Sequence, residues 1–159
     1  MKKIALFLLL AAVLVTFNAY ALDFKILNMR NQLFEQSRDI KALMAAKSRD
    51  SMVLVSLFNS CLMTVTELDA YFSMLGVFEA LSKPGISNDA AKFIVSWLKG
   101  IKNTTTLNLD SLGVLLPAEP RTKTEVKKLQ DNLTSLSNLV DVELGKFIIL
   151  MAPVKKQKK

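Results

Sequence analysis

Apolar residues recur in this chain at the spacing of one helix face, and almost nothing interrupts them before residue 82. Ile26, Leu33 and Ile40 stand seven apart, with Met29, Leu43 and Met44 beside them, and Leu54, Cys61, Leu68 and Leu75 continue at the same interval. Seven residues are close to two turns of an α-helix, so each set lies along one helical stripe. Leu57, Phe58, Val65, Tyr71, Phe72 and Phe78 widen the second stripe beyond the two-position seam of a coiled coil. Only 5 glycines and 4 prolines occur in 159 residues.

The first clear break is "SKPGISND" at 82–89, where Pro84-Gly85 marks a turn, Ser87 is placed to cap a new helix and Asp89 suits its positive end. That helix carries Ala91, Ile94, Trp97, Leu98 and Ile101 on one side. "GVLLPAEPR" at 113–121 reads as a loop, and Thr122-x-x-Glu125 has the capping-box pattern. Val126, Leu129, Leu133, Leu136, Val140, Leu144 and Phe147 then form a last inward stripe.

The expected architecture is therefore all-α, a four-helix bundle following an N-terminal signal peptide. Its helices are expected at 24–47, 51–81, 88–103 with a continuation to 112 as the alternative, and 122–152. The segment "AAKSRDS" at 45–51 has no Gly or Pro, and the heptad phase runs through it. An unbroken helix over 24–81 would be ~87 Å long, against a radius of gyration of ~14 Å for a compact domain of this size. A chain break near 47–51 is thus expected, with an elongated helical hairpin or coiled-coil dimer as the competing architecture.

The start, "MKKIALFLLLAAVLVTFNAYALDF", has a positive Lys2-Lys3 region, an apolar stretch from Ile4 to Phe17, and Ala19-Tyr20-Ala21 as a small-x-small cleavage pattern. This is the layout of a secretory signal peptide, and residues 1–21 are expected to be removed. The apolar core is shorter than the ~20 residues of a comfortable span. Such a short Met-Lys-Lys start suits bacterial export, so the expected location is periplasmic or secreted. Cleavage leaves 138 of the 159 residues, a single domain over 22–152 followed by a basic tail at 153–159. It removes two of 21 Lys and Arg and none of 14 Asp and Glu, leaving a net charge of +5. Lys155, Lys156, Lys158 and Lys159 supply four of those charges, so the body itself offers no basic face for nucleic acid.

Residue types narrow the chemistry further. The chain has no histidine and one cysteine, which removes Ser-His-Asp and Cys-His catalysis, His-based metal sites and an internal disulfide. No phosphate-binding glycine motif occurs. Cys61 sits mid-stripe, with Leu54, Val65, Leu68 and Phe72 on its side and Ser56, Asn59, Thr66 and Glu67 away from it, so it reads as a core residue. Glu35 and Asp39 stand near Arg38 and Lys41 and read as surface pairs. Glu79 falls on the apolar face at a helix end. No catalytic, cofactor-binding or metal-binding residue is assigned, and no cofactor is expected.

The functional expectation is a non-enzymatic interaction or structural module of the bacterial cell envelope, whose partner is an unknown protein or a second copy of itself. Two alternatives stand beside it. One is a carrier enclosing an apolar ligand in the bundle core, using the chain's Met and Phe residues and Trp97. The other is a membrane-active protein using the apolar stretch 147–154 and weak attraction of Lys155, Lys156, Lys158 and Lys159 to an anionic surface.

Overall fold

Each apolar stripe becomes one wall of a shared core. The structure, a computed structural model, describes residues 2–46, 48–81 and 88–151, with side chains described over 24–46, 48–78 and 89–149. It consists of four helices, α1 (Lys2–Ala45), α2 (Ser51–Leu81), α3 (Asn88–Gly113) and α4 (Pro120–Met151), with no strand among the described residues. Sequential helices run antiparallel, as the pairings Arg30–Asp69, Glu67–Thr104 and Lys102–Asp141 require. Gln36–Asn132 and Ser48–Glu119 close the ring between α1 and α4. The four-helix bundle expected from the sequence is the fold, and the chain is not drawn out into one long helix over 24–81.

The core takes its residues from the predicted stripes. Ile26, Leu33, Ile40, Leu54, Leu57, Leu68, Ile94, Leu98, Leu129, Leu133, Leu136 and Val140 are wholly buried. Each such side chain contributes ~1.5–3 kcal/mol on leaving water. The helix pairs α1/α2 and α3/α4 pack closely, whereas the α2/α3 and α1/α4 seams are more open.

Polar groups stitch the open seams. Gln36 occupies a core-facing position of α1 and is fully buried. Its Nε2 donates to the Glu125 carbonyl at 2.9 Å and to Glu125 Oε2 at 3.0 Å, while its Oε1 accepts from Asn132 Nδ2 at 3.0 Å. Every polar atom of the amide is thereby used, which fixes α1 against α4 in one register. Across the other seam, Asn108 Nδ2 donates to Thr64 Oγ1 at 3.4 Å and Thr104 donates to Glu67 at 2.8 Å.

The break between α1 and α2 is made by Asp50. Its carbonyl accepts the first helical bond of α2, from Leu54 N–H at 2.9 Å, so it is the N-cap. Its carboxylate does not cap its own helix. Instead it accepts Ala118 N–H at 2.9 Å and Glu119 N–H at 2.8 Å, at the entry to α4. Glu119 is the N-cap of α4, its carbonyl accepting Lys123 N–H at 3.0 Å. It reciprocates: its carboxylate accepts Arg49 N–H at 2.8 Å and the Ser48 hydroxyl at 2.9 Å. Each carboxylate thus holds the backbone leading into the other helix, and both anions lie at positive helix ends.

This geometry corrects the expected start of the last helix. α4 begins at Pro120, a favoured first helical residue, rather than at Thr122. The Thr122–Glu125 capping box does not form; Thr122 is buried inside the helix and Glu125 turns to Gln36. α3 takes the longer of its two expected courses, through "NTTT" to Gly113. The expected cap Ser87 and the turn at Pro84-Gly85 lie outside the described residues.

Hydrogen bonds from Ala118 and Glu119, with smaller help from Thr122 and Lys123, hold the Asp50 carboxyl below the usual carboxylate range. Asp69 is held low in the same direction by its hydrogen bond from Arg30. A carboxyl with a folded value below its unfolded value of about 3.9 stabilises the fold above that value, and the contribution is lost as pH falls through the folded value. The urea midpoint, followed by helical circular dichroism, is expected to drop on acidification below about pH 4. Asp50→Asn lowers the midpoint at pH 7 and shows a smaller acid-induced drop than the parent. At the fully buried Leu133, substitution by Ala is expected to cost ~2–5 kcal/mol in the same measurement.

Candidate functional site

The residues singled out in the sequence fall in four places. Cys61 is fully buried among the core leucines, and burial pushes its thiol up to about 12. It is a packing residue, as its place on the stripe implies. Glu35 accepts from Arg38 at 3.1 Å and Asp39 accepts from Lys128 at 3.4 Å, so both carboxylates belong to exposed ion pairs. Lys155, Lys156, Lys158 and Lys159 lie outside the described residues, and the side chain of Glu79 lies outside the described side chains. Of the apolar C-terminal stretch, Phe147 is core, while Ile148 and Ile149 are 53% and 75% exposed.

The arrangement with most chemical content lies where the sequence offered no site, in the α2/α3 seam. A cleft of about 250 Å³ opens there, lined by Glu67, Phe93, Ser96, Trp97, Gly100 and Ile101. The α3 residues Phe93, Trp97, Gly100 and Thr104 recur at intervals of three and four, so they form one stripe facing this seam. Phe93 and Trp97 stack at 6.3 Å between ring centroids, and Phe78 of α2 meets Phe93 edge-on at 6.0 Å. Both α3 rings keep open area, Phe93 at 52% and Trp97 at 36%. Gly100 leaves the floor clear: a Cβ there would meet nothing within 4 Å.

Glu67 forms the polar wall of this cleft. Its Oε1 accepts the Thr104 hydroxyl at 2.8 Å, and its Oε2 is buried without a hydrogen-bond partner among the described residues. Burial raises its carboxyl above the usual range, and the Thr104 hydrogen bond only partly opposes this. No lysine or arginine among the described residues pairs with it, although Arg30 serves Asp69 and Lys102 serves Asp141 nearby on the same helices. The helical wheel placed Glu67 away from the core; it stands instead on the flank of α2, turned toward α3. Trp97, expected in the inward stripe, lies at the edge of the cleft.

Two other surface features stand out. On α2, Met52, Val55, Met63 and Val77 face outward among exposed Ser56, Asn59, Thr66 and Ser73, at 82%, 42%, 48% and 55% exposure. Ser51–Phe78 is long and apolar enough to cross a membrane, and about a third of its apolar stretch is buried in the bundle. On α4, Lys123, Lys127 and Lys128 line a broad open cleft of about 600 Å³ together with Asp131. Its lysines are partly neutralised, since Lys128 pairs with Asp39. Among the described residues no group of Cys, Asp and Glu converges as three metal ligands.

No known protein family, no curated protein and no solved structure matches this chain.

Two measurements check these assignments. Cys61 is expected to resist a disulfide-exchange thiol reagent in buffer and to react stoichiometrically in denaturing urea; rapid labelling of the native chain would contradict its core placement. A carboxyl raised by folding lowers stability as pH climbs from its unfolded through its folded value. Glu67→Gln, whose amide oxygen can still accept from Thr104, is therefore expected to melt higher than the parent at pH 7. That difference should disappear at about pH 4, near the unfolded value of a glutamate.

Proposed function

We propose that the chain is an exported, non-enzymatic helical-bundle module of the bacterial cell envelope, which holds a partner protein against the outer face of α2. The export half of this reading rests on the leader pattern at residues 1–21. The binding half rests on one observation: among the polar residues of α2's outer face, Met52, Val55, Met63 and Val77 are large apolar side chains left open, Met52 at 82% exposure. Large apolar side chains grouped on one side of a bundle are a common docking feature. These residues share the outer side of α2 with Ser56, Asn59, Thr66 and Ser73, a mixed apolar and polar surface of the kind a protein partner covers.

A second reading draws on the same helix. The span Ser51–Phe78 has the length and composition to enter a bilayer, and the lysines at 155, 156, 158 and 159 would add attraction to an anionic surface. Against it, Arg30 and Asp69 form a two-point ion pair at 2.8 and 2.9 Å that ties α2 to α1 within that span. The carrier reading has least support, because the positions around Cys61 are filled by Leu54, Leu57 and Leu68.

A photo-crosslinking residue at Met63, in the full chain expressed in its own host, tests the proposal. The expected product is a discrete protein adduct at position 63 that is absent when the probe replaces Lys127. Crosslinks to lipid alone would favour the membrane reading, and no adduct at position 63 would overturn the partner-binding one. N-terminal sequencing of the exported product is expected to begin at Leu22.

A further inference from the structure

The cleft between α2 and α3 is separate from the outer strip of α2, and its chemistry is of a different kind. We propose that it is a binding site for a small organic cation, an alkylammonium group seated between the Glu67 carboxylate and the faces of Phe93 and Trp97.

Three independent features select that ligand class. The first is charge. Glu67 is a carboxylate with one oxygen satisfied by Thr104 and the other shut away from water without a partner. A buried acid in this position is destabilising unless a cation or further donors reach it. An anionic ligand leaves that condition unchanged and a neutral donor supplies a hydrogen bond without charge; an ammonium group supplies both. The second is the aromatic wall. The faces of Trp and Phe rings attract cations and tolerate the alkyl carbons next to them, and Phe93 and Trp97 sit side by side with open area on both. The third is room. Gly100 and Ser96 keep the cleft clear of bulky side chains, and its volume of about 250 Å³ suits a compact ligand rather than a docked helix.

The direction of the Glu67 shift agrees with this. Burial favours the neutral carboxyl, and a bound cation would draw it back to the charged form. At one end the seam is joined by the Phe78–Phe93 ring contact, and further along by Thr104–Glu67 and Asn108–Thr64.

Trp97 is the only tryptophan in the chain, so its fluorescence reports on this cleft alone. The full chain is titrated with n-butylammonium, with 1-butanol and butyrate as neutral and anionic chains of the same length. Butylammonium is expected to shift the emission saturably and to bind about tenfold more tightly than butanol, with butyrate weakest. Glu67→Gln is expected to bring butylammonium down to the level of butanol. Gly100→Leu, which fills open space and leaves the core untouched, is expected to abolish the response to all three. Equal binding of butanol and butylammonium overturns the proposal. So does undiminished butylammonium binding by either variant, with helical circular dichroism showing that the variant is folded. None of these outcomes depends on the α2 partner strip, because Met63 and Val55 do not line the cleft.

Discussion

Two carboxylates at one end of the bundle determine where two of its helices begin. Asp50 and Glu119 are each the last non-helical residue before a helix, and each directs its side chain to the amides at the other's entrance. α2 and α4 are diagonal partners that run in the same direction, so both positive helix ends meet at this point. Without the exchange, three backbone amides, the Ser48 hydroxyl and two like charges would be crowded together. With it, each anion faces donors and a favourable dipole. The tight packing of α1 on α2 and of α3 on α4 builds two helical hairpins, and the exchange aligns one with the other. Gln36 then sets the register along the α1/α4 seam, since only one alignment supplies its amide with Glu125 and Asn132 together.

The fold was legible because the apolar stripes are regular. Ile26, Leu33 and Ile40, then Leu54, Cys61 and Leu68, reach the core as spaced. The boundary at 46–50 was harder to read, since a heptad phase says nothing about a cap whose partners lie far along the chain. Asp50 would look like an ordinary surface acid in "SRDS", and its meaning depends on Ala118 and Glu119. The same limit misplaced the start of α4: Thr122 and Glu125 match a local capping pattern, but the local pattern lost to a tertiary one. Pro120 beside Glu119 was the signal available for the true start.

The candidate site was hidden for a related reason. A helical wheel sorts residues into inward and outward, whereas Glu67 and Trp97 lie on flanks, where α2 and α3 border a cleft. Glu67 takes its character from Thr104 and Gly100 on another helix, and no spacing within α2 reveals that. Its neighbour Asp69, two residues on, is neutralised by Arg30 across the α1/α2 pair. The contrast between the paired and the unpaired acid on one helix separates a structural carboxylate from one held for something else. The uncharged run of α2 was read as a buried central helix, and half of that reading was apt: its inner face is core, while its outer face meets solvent with Ser56, Asn59 and Thr66 as well as Met52 and Met63.

The exchange of caps also bears on how the chain reaches this structure. Asp50 and Ala118 are 68 residues apart in sequence, whereas the contacts inside each hairpin are far more local. Short-range helix pairing is rapid, and closing a loop of that length carries an entropic penalty that must be met before its hydrogen bonds form. Contacts between the hairpins, the exchange at Asp50 and Gln36–Asn132 among them, are therefore favoured to form after the contacts within each hairpin. Interactions formed that late govern how slowly a protein comes apart rather than how quickly it comes together. Asp50 and Glu119 are thereby placed to act as a brake on unfolding.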